Sequence, residues 1–183
     1  MLLMWRLWPR NGALWPIILT AVLIRAAFIV WYPPGDDINR YIWEGYVQNE
    51  GHNPFLTSPD SPELKKLRDQ NWIGINHKNI PTIYWPTAQL LFRVTARVSR
   101  SPIAFKILFV LFDLATAIIL LLYLYRFGVD RRHSFLYLLN PVPLIFIAGE
   151  GHLESIPVFF TTLALYLLVR KKAATAFLAL GLA

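Results

Sequence analysis

The chain of 183 residues contains no cysteine. That excludes a disulfide framework, a thiolate nucleophile and a zinc ribbon, and it leaves the redox compartment unread. Charge is scarce as well: Asp, Glu, Lys and Arg make up 16% of the residues, where soluble domains carry about 25%. An ordinary soluble domain is a poor fit. Acidic residues are fewer than basic ones, 11 against 18, for a formal charge of +7. A nucleic-acid surface gathers such an excess on one polar face, whereas here the basic residues are interleaved with long apolar runs. A membrane explains them better, and no nucleic-acid partner is expected.

What is abundant points the same way. Hydrophobic residues reach 56% and aromatic ones 15%, with 7 Trp and 8 Tyr, a load suited to lipid–water boundaries. Four long apolar segments and the start of a fifth follow one another: about 13–32, 103–125, 134–149, 153–169 and 173–183. The first has about 20 residues and spans about 30 Å of hydrocarbon as a helix. It starts like a signal peptide, after Arg6 and Arg10, but it is long and ends in Trp31, Tyr32, Pro33 and Pro34 without a small-residue cleavage site, so retention is expected. The chain stops inside the fifth segment and reads as a fragment ending within a helix. The expected fold is an all-α, polytopic transmembrane bundle forming a single membrane domain over residues 1–183.

Arginine and lysine in short connections mark the cytoplasmic side. Arg6 and Arg10, then Arg126, Arg131 and Arg132, then Arg170, Lys171 and Lys172 all fall on one side if the spans alternate. The opposite side receives a large loop, about 33–86, and the short turn around Gly151. Residues 87–100 are too short for a span; Arg93, Arg97 and Arg100 share one helical face and Leu91, Val94 and Val98 another, the pattern of an interfacial helix. Its arginines suit lipid headgroups or the phosphate of a lipid substrate. Within the spans, Arg25, Lys106 and Asp113 need explanation, because a mid-bilayer charge costs at least about 2.5 kcal/mol. Lys106 lies near enough to the outer boundary to snorkel, and an Arg25–Asp113 bridge between spans is expected, with a donor-phosphate role for Arg25 as the other reading. Asn140-Pro141-Val142-Pro143 breaks the third span, which is tolerated where the backbone faces protein or a cavity.

The large loop opens at Pro33-Pro34-Gly35 and continues into an expected helix of about 13 residues, framed by the aspartates Asp36 and Asp37 and by Gly51. On it Asp36, Arg40 and Glu44 recur every four residues, with Tyr41 between them. This pattern suits an ion-paired surface helix with an aspartate N-cap; beside a membrane it also suits a carboxylate acting as general base on a substrate hydroxyl. A second helix is expected after Ser61-Pro62-Glu63. Further on, His77 and Lys78 are candidates for binding phosphate or sugar hydroxyls, and Tyr84 and Trp85 for stacking on a sugar or anchoring the interface. Before the fourth span, Glu150, His152 and Glu154 face the same side as Asp37, either as catalytic helpers or as a polar cap on the helix.

The acidic pair, Arg40-Tyr41, Trp43-Glu44-Gly45, Gly51-His52-Asn53-Pro54-Phe55 and Ile83-Tyr84-Trp85-Pro86 leading into Gln89-Leu90-Leu91-Phe92 stand in an order that resembles the GT-C superfamily of integral-membrane glycosyltransferases. The nearest likeness is to bacterial polyprenol-phosphate-mannose-dependent mannosyltransferases, and the loop is similar to the GPI mannosyltransferase I group. Asp113-Leu114, Asn140-Pro141 and Gly151-His152 extend it over nearly the whole chain. The resemblance implies transfer of a sugar, mannose above others, from a polyprenyl-phosphate donor to a glycan or lipid acceptor hydroxyl, on the periplasmic side of a bacterial inner membrane, usually with inversion. It also implies Asp37 as the catalytic base with Asp36 beside it, and a fuller protein with more spans. Arg40, Glu44, His77, Lys78, Tyr84, Arg93, His152 and Glu154 are the expected substrate-binding residues, membrane lipids are the surroundings, and neither a cofactor nor a metal is expected. The chain departs from the pattern at Leu153 and Glu154, where Asn and Asp are expected, and at Trp85, where Pro is expected. A transporter or lipid flippase shares the intramembrane charges and the broken helix without needing the carboxylate-rich loop, and a noncatalytic assembly subunit makes the loop motifs incidental.

Overall fold

The computed structural model describes residues 13–183; the tail arginines Arg6 and Arg10 lie outside the described residues. The elements are α1 (Trp15–Trp31), α2 (Asp37–Asn49), a 3₁₀ helix (Pro62–Leu67), a single-turn α3 (Gln70–Ile73), α4 (Pro86–Val98), α5 (Pro102–Arg126), a 3₁₀ turn (Arg131–Ser134), a short α6 (Phe135–Leu138), a π-helical segment (Pro143–Glu150), α7 (Ser155–Val169) and α8 (Ala173–Gly181). Among the described residues there is no strand, as the all-helical expectation requires.

The boundaries have local causes. α1 ends because Tyr32 precedes Pro33 and takes an extended conformation, ψ 135°, which the proline ring favours. α5 begins at Ser101, whose hydroxyl accepts from the Ala104 amide, with Pro102 at the first helical position. Pro86 opens α4 in the same manner. The helix expected after Ser61 is a 3₁₀ helix instead, and the Ser61 hydroxyl faces that of Ser58 at 3.1 Å without capping it.

α5, of 25 residues, is the one helix among those described that is long and apolar enough to cross a membrane; α1 and α7 are apolar but shorter. Apolar side chains nonetheless cover the outside of α1, α5, α7 and α8, among them Leu23, Leu111, Ile118, Leu165, Phe177 and Leu178, all exposed. Such continuous apolar surface is not left to water by a soluble protein. α5 packs on α7 through Phe112, Phe159 and Phe160 and through Tyr123 against Tyr166.

The predicted Arg25–Asp113 bridge forms. Arg25 Nε donates to Asp113 Oδ2 at 2.6 Å, and both side chains are essentially inaccessible. Arg25 Nη1 donates to the Leu138 carbonyl at 2.7 Å and the Tyr137 hydroxyl donates to Asp113 Oδ1 at 2.7 Å. The two buried charges are thereby paired, and the Leu138 carbonyl at the end of α6 is taken up, while Arg25 Nη2 is left without a partner among the described residues. Lys106 does not snorkel. It is 2% exposed, and its Nζ donates to the Tyr32 carbonyl at 2.8 Å, so a cation sits on the unsatisfied C-terminal carbonyls of α1.

The third apolar segment is broken as Asn140-Pro141-Val142-Pro143 predicts. The Val142 amide is taken by Asn140 Oδ1 at 3.0 Å, and the chain then runs as a π-helix to Glu150, where Gly151 turns it with φ +81°. Short π-helical runs mark local departures from the ordinary ladder and concentrate at functional sites.

Candidate active site

α2 has the 13 residues its sequence suggests, but it is a buried helix, not a surface one. Ile38, Tyr41 and Ile42 join Phe92, Phe105, Phe109 and Ile156 in the main core, while Trp43 and Val47 pack on Leu64 and Ile75 of the loop. Gly45 makes the close approach of α4 possible, since a Cβ there would collide with the Phe92 carbonyl. The helix is thus held on two sides, and Asp37 in its first turn is its one exposed residue.

Arg40 and Glu44 lie behind that turn. Arg40 Nε donates to Glu44 Oε1 at 2.7 Å, and its Nη2 donates to the Ile80 carbonyl at 2.7 Å. Glu44, 1% exposed, also accepts from the Thr82 hydroxyl at 2.8 Å and from the Gln89 amide. Burial holds the Glu44 carboxyl above the usual glutamate range, although these bonds and the Arg40 charge pull it down. The pair clamps the loop 76–82 and α4 against α2. Lys78 is likewise engaged within the loop: its Nζ donates to the Ile73 and Ile75 carbonyls at 3.0 and 2.7 Å and lies over the Trp72 ring. His77 is exposed at φ +53°.

The exposed end of α2 carries Asp36 and Asp37. Neither caps the helix with its side chain, and the Asp37 carboxylate, half exposed, accepts no hydrogen bond among the described residues. The turn before α7 comes up to it. Gly35 N–H donates to the Glu150 carbonyl at 2.9 Å, and a Cβ on Gly35 would stand 3.3 Å from that of Glu150. Gly151 is required twice: its φ is positive, and a Cβ would strike Ile38 at 2.5 Å. The consequence is a cluster from distant parts of the chain. His152 Nδ1 lies 3.8 Å from Asp37 Oδ2 and 3.8 Å from Glu154 Oε2, while Nε2 lies 3.1 Å from Glu150 Oε2.

Beside the cluster, Tyr41 and Tyr84 meet edge to face with centroids 5.1 Å apart. Burial raises both hydroxyls well above the usual tyrosine value, and the Asp37 charge adds to the rise in each, so Tyr84 stands close enough to feel the carboxylate. On the other side the π-helical break opens a cavity of about 460 Å³, lined by Tyr137, Val142, Pro143, Phe146, Ile147 and Val158, with His152 and Glu154 at its polar end. A second cavity, of about 430 Å³ and polar, lies between the end of α2 and α4, with Gln48, His52, Asn53, Phe55 and Arg93 around it. Of the three arginines expected on one helical face, Arg93 and Arg97 lie on α4 and are exposed, whereas Arg100 falls beyond its end, turns back to Asp69 at 3.3 Å and stacks on Tyr46.

Of the residues expected at a site, Asp37, His152 and Glu154 are therefore assembled, with Tyr84 adjacent and Asp36 one position back. Arg40 and Glu44 lie behind them, Lys78 is tied into the loop, and Arg93 belongs to the other cavity. Of the two further residues that hold Glu44, Gln89 belongs to the motif that carries the resemblance, while Thr82 carries no signal in the sequence beyond being polar. Among the described residues no three His, Asp or Glu side chains are arranged to hold a metal ion.

Such a cluster, with a carboxylate at a helix N-terminus and a mainly apolar cavity opening beside it, has the parts for proton removal from a hydroxyl beside an apolar ligand. Neither a curated protein nor a solved structure matches the chain. The family comparison does: over residues 2–183 the chain matches the MptA_B family, described as alpha-(1->6)-mannopyranosyltransferase, N-terminal domain, and it belongs to that family of mannose-transferring glycosyltransferases.

Proposed function

We propose that the chain is the N-terminal part of a multi-pass GT-C membrane enzyme that moves mannose from a polyprenyl-phosphate donor to the hydroxyl of a glycan or lipid acceptor. Asp37 is the general base. The observation that carries this reading is the junction of two unlike surfaces: a cavity lined mainly by apolar side chains, suited to the prenyl chain, ends at His152 and Glu154, and these stand beside an unengaged Asp37 carboxylate.

The chemistry follows from that junction. An ionised carboxylate accepts the acceptor proton as the hydroxyl oxygen attacks the anomeric carbon, and the lipid phosphate departs with the bonding pair, needing little acid assistance. Attack from the carboxylate side with departure on the lipid side inverts the anomeric centre. Asp36 adds negative charge to the same turn. His152, Glu154 and Tyr84 meet the substrate at the cavity mouth, and His77 offers a donor for phosphate or sugar. Arg40, Glu44 and Lys78 serve through the loop geometry they hold. The polar cavity at Arg93, with an aromatic ring and two amides, suits an acceptor sugar. The exposed apolar faces of α1, α5, α7 and α8, with Leu136, Val142 and Phe146 of the broken third segment, support spans at about 13–32, 103–125, 134–149, 153–169 and 173–183, with the loop periplasmic in a bacterial inner membrane.

The test is mannose transfer from radiolabelled polyprenyl-phosphate mannose, in membranes carrying the full-length gene product, comparing wild type with Asp37→Asn at matched expression. Transfer by wild type and a loss of at least about 100-fold in the variant are expected for removal of a general base. Equal transfer by both removes Asp37 from the role, and transfer by neither removes this donor.

A further inference from the structure

Resting on the reading of Asp37 as base, we propose that Asp37 and His152 act as one base, with Glu150 setting the tautomer of the imidazole. Asp37 takes the proton from the acceptor hydroxyl, and His152 Nδ1 receives it from Asp37. Three features of the geometry lead there.

First, an ionised carboxylate only accepts hydrogen bonds. With Glu150 Oε2 at 3.1 Å from Nε2, the neutral ring carries its hydrogen on Nε2 and presents the lone pair of Nδ1 to Asp37. Second, the ring is held and not merely nearby. The His152 amide donates to the Phe146 carbonyl at 2.9 Å, the ring tilts on Phe146 with centroids 5.9 Å apart, and the Gly35 amide pins the Glu150 carbonyl at 2.9 Å. Third, the turn does not cap α7: Glu154 stands at the N-cap with no side-chain bond to the helix, and the partners of the imidazole are carboxylates. The 3.8 Å from Nδ1 to Asp37 closes by a small rotation of an aspartate that nothing else engages, and such contacts tighten when substrate binds.

Imidazole is as a functional group the stronger base of the two, so the proton passes on to the ring. The balance is complete. The acceptor O–H bond breaks as its oxygen bonds the anomeric carbon, the bond from that carbon to the phosphate oxygen breaks with both electrons on phosphate, and the proton passes through Asp37 to His152 and then to solvent. A phosphodiester monoanion becomes a phosphomonoester dianion plus one proton. The groups facing His152 are Asp37 from α2, Glu150 and Glu154 on either side of it and Tyr137 across the cavity; the Lys106 stem of α5 packs near Gly151 with its ammonium on the Tyr32 carbonyl.

The experiment is the pH dependence of kcat/KM for mannose transfer by the full-length enzyme in membranes, for wild type, His152→Gln and Glu150→Gln. Wild type should lose activity on acidification, as the base takes up a proton before the acceptor can give one. His152→Gln should lower kcat about 100-fold near neutrality, the lower end of general base effects, and move the acid limb away from the wild-type position. Glu150→Gln, which keeps the side chain's size, should lower kcat and move the limb in the same direction, because the ring is no longer held in one tautomer by a carboxylate. A limb that stays at the wild-type position in either variant overturns the shared base. If Asp37→Asn is inactive while His152→Gln keeps the wild-type profile, the shared base fails and the reading of Asp37 stands; if Asp37→Asn is active, that reading fails itself.

Discussion

A buried charge is informative through what holds it. Arg25 and Asp113 are each other's main partner and both are buried, with the Leu138 carbonyl and the Tyr137 hydroxyl as further partners. Removing one member leaves the other buried without a counter-charge, which costs about 3–5 kcal/mol, whereas replacing both with apolar side chains is often neutral. Asp113→Asn should therefore lower thermal stability in detergent by an amount of that order, and Arg25→Met with Asp113→Leu should recover most of it. Equal losses in the single and double variants would show that the charge pairing contributes nothing. Glu44 presents the same physics, but its carboxylate has three polar partners, Arg40, Thr82 and Gln89, which makes it a joint between α2, α4 and the loop.

At the scale of elements, the π-helical segment is the feature from which most follows. Two prolines without amide hydrogens interrupt the ladder, the break leaves a cavity on one side, and the same segment ends in the Glu150–Gly151–His152 turn that meets Asp37. Cavity and carboxylate cluster are thus two ends of one element. If the cavity takes the prenyl chain, Val158→Trp on α7 should fill part of it from a position that is 44% exposed and so leaves the core intact. Donor KM should rise about tenfold, corresponding to roughly 1.4 kcal/mol of binding, with thermal stability unchanged. An unaltered donor KM would move the lipid elsewhere.

For the whole molecule, the distribution of apolar surface supports a membrane more strongly than any one helix does. Among the described residues one helix has the length to cross by itself, yet apolar side chains face outward on α1, α5, α7 and α8 together. The lack of cysteine in these 183 residues makes their topology easy to measure, because each cysteine introduced here is the sole thiol of this part. Asp60→Cys in the large loop should react with an impermeant maleimide on intact cells, whereas Val129→Cys and Lys172→Cys should react only after the inner membrane is opened. Labelling of all three from outside would contradict alternating spans.

By itself the sequence determined the helical class, the placement of the apolar segments, the proline break, the acidic start of α2 and even the Arg25–Asp113 bridge. Each depends on local composition or on the rule that a charge deep in an apolar layer must find its opposite. Only the tertiary structure decided that Arg40 and Glu44 turn inward, that Lys106 closes the end of α1 instead of reaching for the surface, and that Glu150 and His152 meet Asp37 while Lys78 and Arg93 do not. An i, i+4 pair looks the same from sequence whether its face meets water or another helix. What turned α2 inward was the fit of its two faces, against the aromatic core on one side and Leu64 and Ile75 on the other, with Gly45 admitting α4. That fit is set by packing between segments far apart in the chain, which no local pattern encodes.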